Sequence, residues 1–189
     1  MLPLDNPRWN CFKTFFGNPE EVPIRIKKWM EAIGSDEEKS TWEELCEQFL
    51  HQYTIADSAY AVAPFVIQGM ERIPAAKRLY YLVDIGLIES ARLKKRSPDL
   101  PSDLAESYHA SVRQGRTYAV ECLTLDLPKI EFRYLISTIS TLYGHDVLGD
   151  LIFSLDCLCG PCPKCGGFVY PEQIQESGYC YVPGKEQRE

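Results

Sequence analysis

The sequence predicts a mainly α-helical chain that ends in a small cysteine-rich appendage. Three observations predict it. From residue 20 to residue 155, apolar residues recur at helical spacing in one segment after another. Few segments before residue 156 show the period-two alternation of a half-buried strand. Cys157, Cys159, Cys162 and Cys165 then fall within nine residues, and Cys180 follows.

Residues 1–19 are rich in Pro, Asn and aromatics, with Trp9, Phe12, Phe15 and Phe16. A free tail carries fewer aromatics, so these residues read as an irregular arm packed on the body. Glu20 to Ile33 reads as a helix with Val22, Ile26, Trp29, Met30 and Ile33 inward and Gly34 as its stop. Ser40 and Thr41 each precede a glutamate by three residues, a capping-box pattern that predicts a helix start there. Trp42, Leu45, Cys46, Phe49, Leu50 and Tyr53 form one face of that helix. The acidic run Asp36–Glu38 before it reads as a solvated loop.

Ile55 to Arg72 is the next helix. Pro64 sits inside it and predicts a bend near Tyr60, whose carbonyl loses its donor. Pro74 opens a helix with Leu79, Leu82, Val83 and Gly86 on one stripe. Arg92, Lys94, Lys95 and Arg96 then lead to Pro98 and Pro101, which reads as a solvated basic loop over 92–102, with a contact site for an acidic group as the alternative. Helical pattern resumes from Ser102 to Leu125. It returns after Pro128, where Phe132, Leu135, Ile136, Ile139, Leu142 and Tyr143 share a face ended by Gly144. A short helix carries Leu148, Leu151, Ile152 and Leu155. Gly167–Tyr170 and Gly178–Val182 read as two short strands beside the cysteines. The organisation expected is an arm (1–19), a helical repeat domain (20–155), a cysteine-rich knuckle (156–183) and a tail (184–189).

The 189 residues are enough to bury a core, and 45% hydrophobic with 25% charged residues excludes wholesale disorder. The net charge of -7 disfavours nucleic acid, because neutralising phosphates takes a basic face. It suits a basic protein partner. No basic-then-apolar leader and no membrane-spanning run is present, so the expected location is cytoplasmic, with reduced thiols and no membrane partner.

Tyr60-Ala-Val62 recurs as Tyr118-Ala-Val120. Each string is followed by a proline, Pro74 or Pro128, and then by an arginine-bearing helix with Arg78 or Arg133. With Pro64 inside the first helix, the chain resembles the HEAT-like helical repeat proteins over about residues 40–155. The string His51-Gln52 with Ala56 to Pro64 is similar to a group of small bacterial HEAT-like proteins of unknown role. The resemblance implies helical hairpins stacked into one continuous core, with a concave face that binds another protein.

Cys162-Pro-Lys-Cys165-Gly-Gly167 is the sharpest motif. Two residues between thiolates let both sulfurs reach one zinc ion at about 2.3 Å each. The motif resembles the knuckle of zinc-ribbon modules, with Cys157, Cys159 and Cys180 competing for the remaining positions. A closed structural zinc site is expected. Free thiols or disulfides, and an iron–sulfur or redox-active pair, are the alternatives. Cys11, Cys46 and Cys122 are isolated and read as small core residues.

His51, His109 and His145 read as structural or surface residues, and no phosphate loop or hydrolase motif appears. No catalytic or cofactor-binding residue is assigned. The tyrosines are concentrated in the repeat region, and Tyr60, Tyr81, Tyr118 and Tyr134 are the expected partner-binding residues. The function expected is a non-catalytic interaction protein, of the immunity or antitoxin kind, that masks a basic toxin. A zinc-knuckle regulatory or nucleic-acid-associated module and an enzyme with an unrecognised site are the other two readings.

Overall fold

Apolar side chains at helical spacing do form helices through the body of the chain. The computed structural model describes residues 1–51, 54–95, 97–154 and the pairs 160–161 and 168–169. Within them α1 spans Glu21–Ala32, α2 Glu38–Phe49, α3 Ser58–Met70 and α4 Ala75–Leu93. α5 spans Ala105–Glu121, α6 Lys129–Leu142 and α7 Asp146–Ser154. The chain is mainly helical, and no described helix is long and apolar enough to cross a membrane.

The first residues pack on the helices, with the Trp9 ring 6.3 Å from that of Phe65 and the Lys13 amide donating to Asp57 at 2.6 Å. Asn6 accepts a hydrogen bond from the Arg8 amide and caps a 3-10 turn over Pro7–Cys11. Trp9 is buried, its indole N–H donates to the Pro3 carbonyl at 2.9 Å, and its ring meets Phe12 edge-on. Phe15 and Phe16 stay exposed, and both flank the His51 ring.

α2 starts earlier than the capping pattern predicts. Ser40 and Thr41 lie inside its first turns and donate back to the Glu37 carbonyl. The turn before α2 is held by two other side-chain bonds. Ser35 Oγ accepts from the Glu37 amide, and Glu38 reaches back to the Gly34 amide at 2.7 Å. Glu38 also receives the buried Tyr81 hydroxyl, so it is buried rather than solvated.

α3 is the central helix, buried on almost every side. It runs unbroken through Pro64. α3 packs on α5, α4 packs on both α5 and α6, and α7 packs on α6. α1 lies against α2 and α3. Pro74 and Pro128 stand in equivalent places, one residue before α4 and α6. The Tyr-Ala-Val strings do not: Tyr60 begins α3, whereas Tyr118 lies near the end of α5. Gly86 lets α6 close on α4, since a Cβ there would stand 3.2 Å from the Thr138 methyl.

The basic segment is tied down at Arg92, Lys94 and Ser97–Pro98, whereas Lys95, Asp99 and Ser102 are exposed. Arg92 lies within α4 and grips the buried Glu89 through two 2.7 Å hydrogen bonds. Lys94 pairs with Asp150 of α7. The Tyr60 hydroxyl donates to the Pro98 carbonyl at 2.8 Å and lies 2.9 Å from Ser97 Oγ.

Leu50–His51 and Thr54–Ile55 form a two-residue antiparallel pair that the periodicity does not show. At the other end, Phe168–Val169 falls where a strand is expected. It pairs with Gly160–Pro161, and the second expected strand, 178–182, lies outside the described residues. The pair brackets residues 162–167 in sequence, the segment holding Cys162 and Cys165, itself outside the described residues.

Candidate functional site

One side of α4 carries Ala76, Tyr80 and Asp84 at a spacing of four residues, a row that passes from the exposed Ala76 and Tyr80 to the more enclosed Asp84. That row is the floor of a concavity of about 700 Å³. Ser35, Asp36, Glu38 and Lys39, at the start of α2, form one wall. Glu131 and Tyr134, in the first turns of α6, form the other. Three helices therefore hold the groove, and the packing that fixes it runs through α4.

Tyrosines and carboxylates dominate its lining. Tyr80 is 43% exposed, and its hydroxyl donates to Glu43 at 3.0 Å. Beside it Tyr81 turns inward and donates to Glu38 at 2.6 Å. Desolvation, reinforced by each carboxylate, pushes both tyrosine hydroxyls above their usual range, so both stay protonated donors. Asp84 accepts from the Trp42 indole at 2.9 Å and from the Cys46 thiol at 3.6 Å. Burial pushes the Asp84 carboxyl up to about 6, although both donors oppose the shift. Burial and the neighbouring Asp84 also push the Cys46 thiol well up, which leaves it protonated at neutral pH and unfit as a nucleophile.

The raised Asp84 carboxyl sets a sign for stability. The folded chain holds that proton more tightly than the unfolded chain, so folding takes one up between about pH 4 and pH 6. The contribution of this group is greatest below about pH 4 and is lost as pH rises through about 6. Asp84→Asn keeps an acceptor for Trp42 and removes the buried charge. In urea unfolding at pH 8 the variant should gain about 1–2 kcal/mol over the parent, and the gain should vanish near pH 4. An equal loss at both pH values would show that Asp84 stays ionised without cost.

Three of the four tyrosines expected to bind a partner are buried. Tyr60 and Tyr81 are buried with their hydroxyls satisfied inside the fold. Tyr118 is buried under the Arg78 guanidinium, 4.6 Å from its ring centre. Of the four, Tyr81 and Tyr134 border the groove. The groove tyrosine that sequence reasoning passed over is Tyr80. Adjacent helical residues point about 100° apart, so only one of Tyr80 and Tyr81 can face the core. The row Ala76, Tyr80, Asp84 was the available signal.

Cys157, Cys159, Cys162, Cys165 and Cys180 lie outside the described residues. Among the described residues, no group of three or more His, Cys, Asp or Glu is placed to hold a metal ion. Cys122 is buried and Cys46 half-buried, as core cysteines should be, but Cys11 is exposed. His51, His109 and His145 are exposed, and among the described residues no histidine ring hydrogen-bonds a cysteine, serine or carboxylate. No protein-family model, curated protein or solved structure matches the chain.

Proposed function

We propose that the chain is a non-catalytic interaction protein, a HEAT-like stack of helical hairpins that presents the α2/α4/α6 groove to a protein partner. One observation carries the reading: an open concavity of about 700 Å³ that exposes Tyr80 on a three-helix scaffold. Tyrosine supplies large contact area for little lost side-chain freedom, and hot spots cluster on such residues. The stacking of α3 on α5 and α4 on α6, with Pro74 and Pro128 in equivalent places, supports the repeat. The acidic balance of -7 supports a basic partner, and a masked toxin of the immunity or antitoxin kind is that partner class. The protein is then cytoplasmic.

The cysteine segment belongs to the same reading as a staple. Four of Cys157, Cys159, Cys162, Cys165 and Cys180 would close a structural zinc site. The antiparallel pair that brackets Cys162 and Cys165 supports it.

A photo-crosslinking residue at position 80, with position 24 as control, tests the reading. Both sites are exposed, and position 24 lies on α1 away from the groove. The expected result, in the cell of origin, is one basic protein joined at position 80 and absent at 24. Equal labelling from both positions, or none at 80, overturns it.

A further inference from the structure

We propose that the α2/α4/α6 groove is a seat for the cationic side chains, guanidinium or ammonium, of a basic segment of that partner. The inference rests on the interaction reading and names the chemistry that the site selects.

Charge decides first. Asp36, Glu38, Asp84 and Glu131 line the groove against Lys39 and Lys77. Lys39 is already engaged with Glu43 at 3.7 Å. Among the described residues, none of the four lining carboxylates makes an ion pair. A concavity with low-dielectric walls focuses such a field outward to its mouth.

The aromatic rim points the same way. The Lys39 ammonium stands 5.8 Å from the centre of the Tyr80 ring. The protein thus shows, within its own chain, what that ring face accepts. Lys39 is 73% exposed on its side chain, so it covers the ring loosely and leaves room for a cation from outside. Tyr134 stands on the opposite wall. Arginine fits such a site best, because its planar group stacks on tyrosine and takes a carboxylate in two hydrogen bonds at once.

Size sets the occupant. About 700 Å³ lies in the range that holds a short stretch of peptide and exceeds what one side chain fills. A bare metal ion is the poorer candidate, since no described group of ligands converges on a point. Phosphate-bearing partners are repelled by the same carboxylates.

The test uses the full-length protein and three capped four-residue probes, tetra-arginine, tetra-lysine and tetra-glutamate, followed by amide-resolved NMR. Tetra-arginine should shift the amides of Ala76–Asp84 and Glu131–Tyr134, with tetra-lysine weaker and tetra-glutamate silent. Glu131→Lys and Asp36→Lys, both at exposed positions, should each weaken tetra-arginine by about tenfold. Glu106→Lys, in the separate concavity between α3 and α5, should leave it unchanged. Shifts spread evenly over the acidic surface, or indifference to Glu131→Lys, overturn the seat.

The two readings fail separately. A partner that crosslinks at position 80 and still binds Glu131→Lys sinks the cation seat and spares the interaction reading. Tetra-arginine bound in the groove with no protein joined at position 80 does the reverse.

Discussion

Replacing Glu89 by alanine should cost the fold about 3–5 kcal/mol, because it breaks a buried ionic cluster from its centre. Glu89 is 3% exposed. It receives Arg92 Nε and Nη2 at 2.7 Å each, and the Tyr108 hydroxyl at 2.8 Å. Tyr108 is fully buried, and burial followed by this carboxylate pushes its hydroxyl well up. Glu89 also pushes the Arg92 guanidinium upward. Without Glu89 the Arg92 guanidinium and the buried Tyr108 hydroxyl lose the acceptor they share. Glu89→Gln keeps an acceptor and should cost less than half as much. Joint replacement, Glu89→Leu with Arg92→Met, should recover much of the loss, since it removes the stranded charge as well. Urea unfolding of all three checks the order. A single-site loss under about 1 kcal/mol would mean that water already solvates the cluster.

Gly69→Ala should destabilise by about 3 kcal/mol, the reverse of what the exchange does in an ordinary helix, where alanine gains up to about 1 kcal/mol. The added Cβ would stand 2.3 Å from Trp29 Cη2 and 2.8 Å from Cζ3. The indole has nowhere to go. It is fully buried, with Trp42 at 5.0 Å and Tyr81 at 5.6 Å between ring centres. The clash therefore passes into the α1, α2 and α4 contacts at once. Trp29→Phe shortens the ring, so the double variant should lose less than the sum of the two singles. Thermal melts of the four proteins measure that coupling. Strict additivity, or a stabilised Gly69→Ala, would place Trp29 elsewhere.

The helices were legible because their apolar residues repeat at a period set by backbone geometry. Val22, Ile26 and Trp29 announce α1 without any knowledge of what they pack against. Pro74 and Pro128 announce two helix starts, since proline tolerates the place where no amide partner is needed. Polar residues gave the wrong answers, and for one reason. Glu38, Arg92 and Tyr60 look solvent-bound or partner-bound by type, but each is satisfied inside the fold, Arg92 by Glu89 one turn back and the other two by residues far along the chain. Glu38 takes Tyr81 and Tyr60 takes Pro98, and no local pattern encodes such pairings. The groove suffered likewise. Its floor is a readable row on α4, but its walls come from α2 and α6, which only the packing brings together.

The burial of Trp42 against Asp84 makes the chain its own optical gauge. All three tryptophans, Trp9, Trp29 and Trp42, lie in the first quarter of the sequence, and each is almost wholly enclosed. Their emission therefore watches the arm, α1 and α2, and the sides of α3 and α4 that they touch. Trp42 also donates its indole N–H to the carboxylate that closes the floor of the groove. Whatever changes the charge of Asp84, a proton or a cation lodged beside it, changes the field across that indole. Its colour reads the state of the groove from behind the wall, with no label attached.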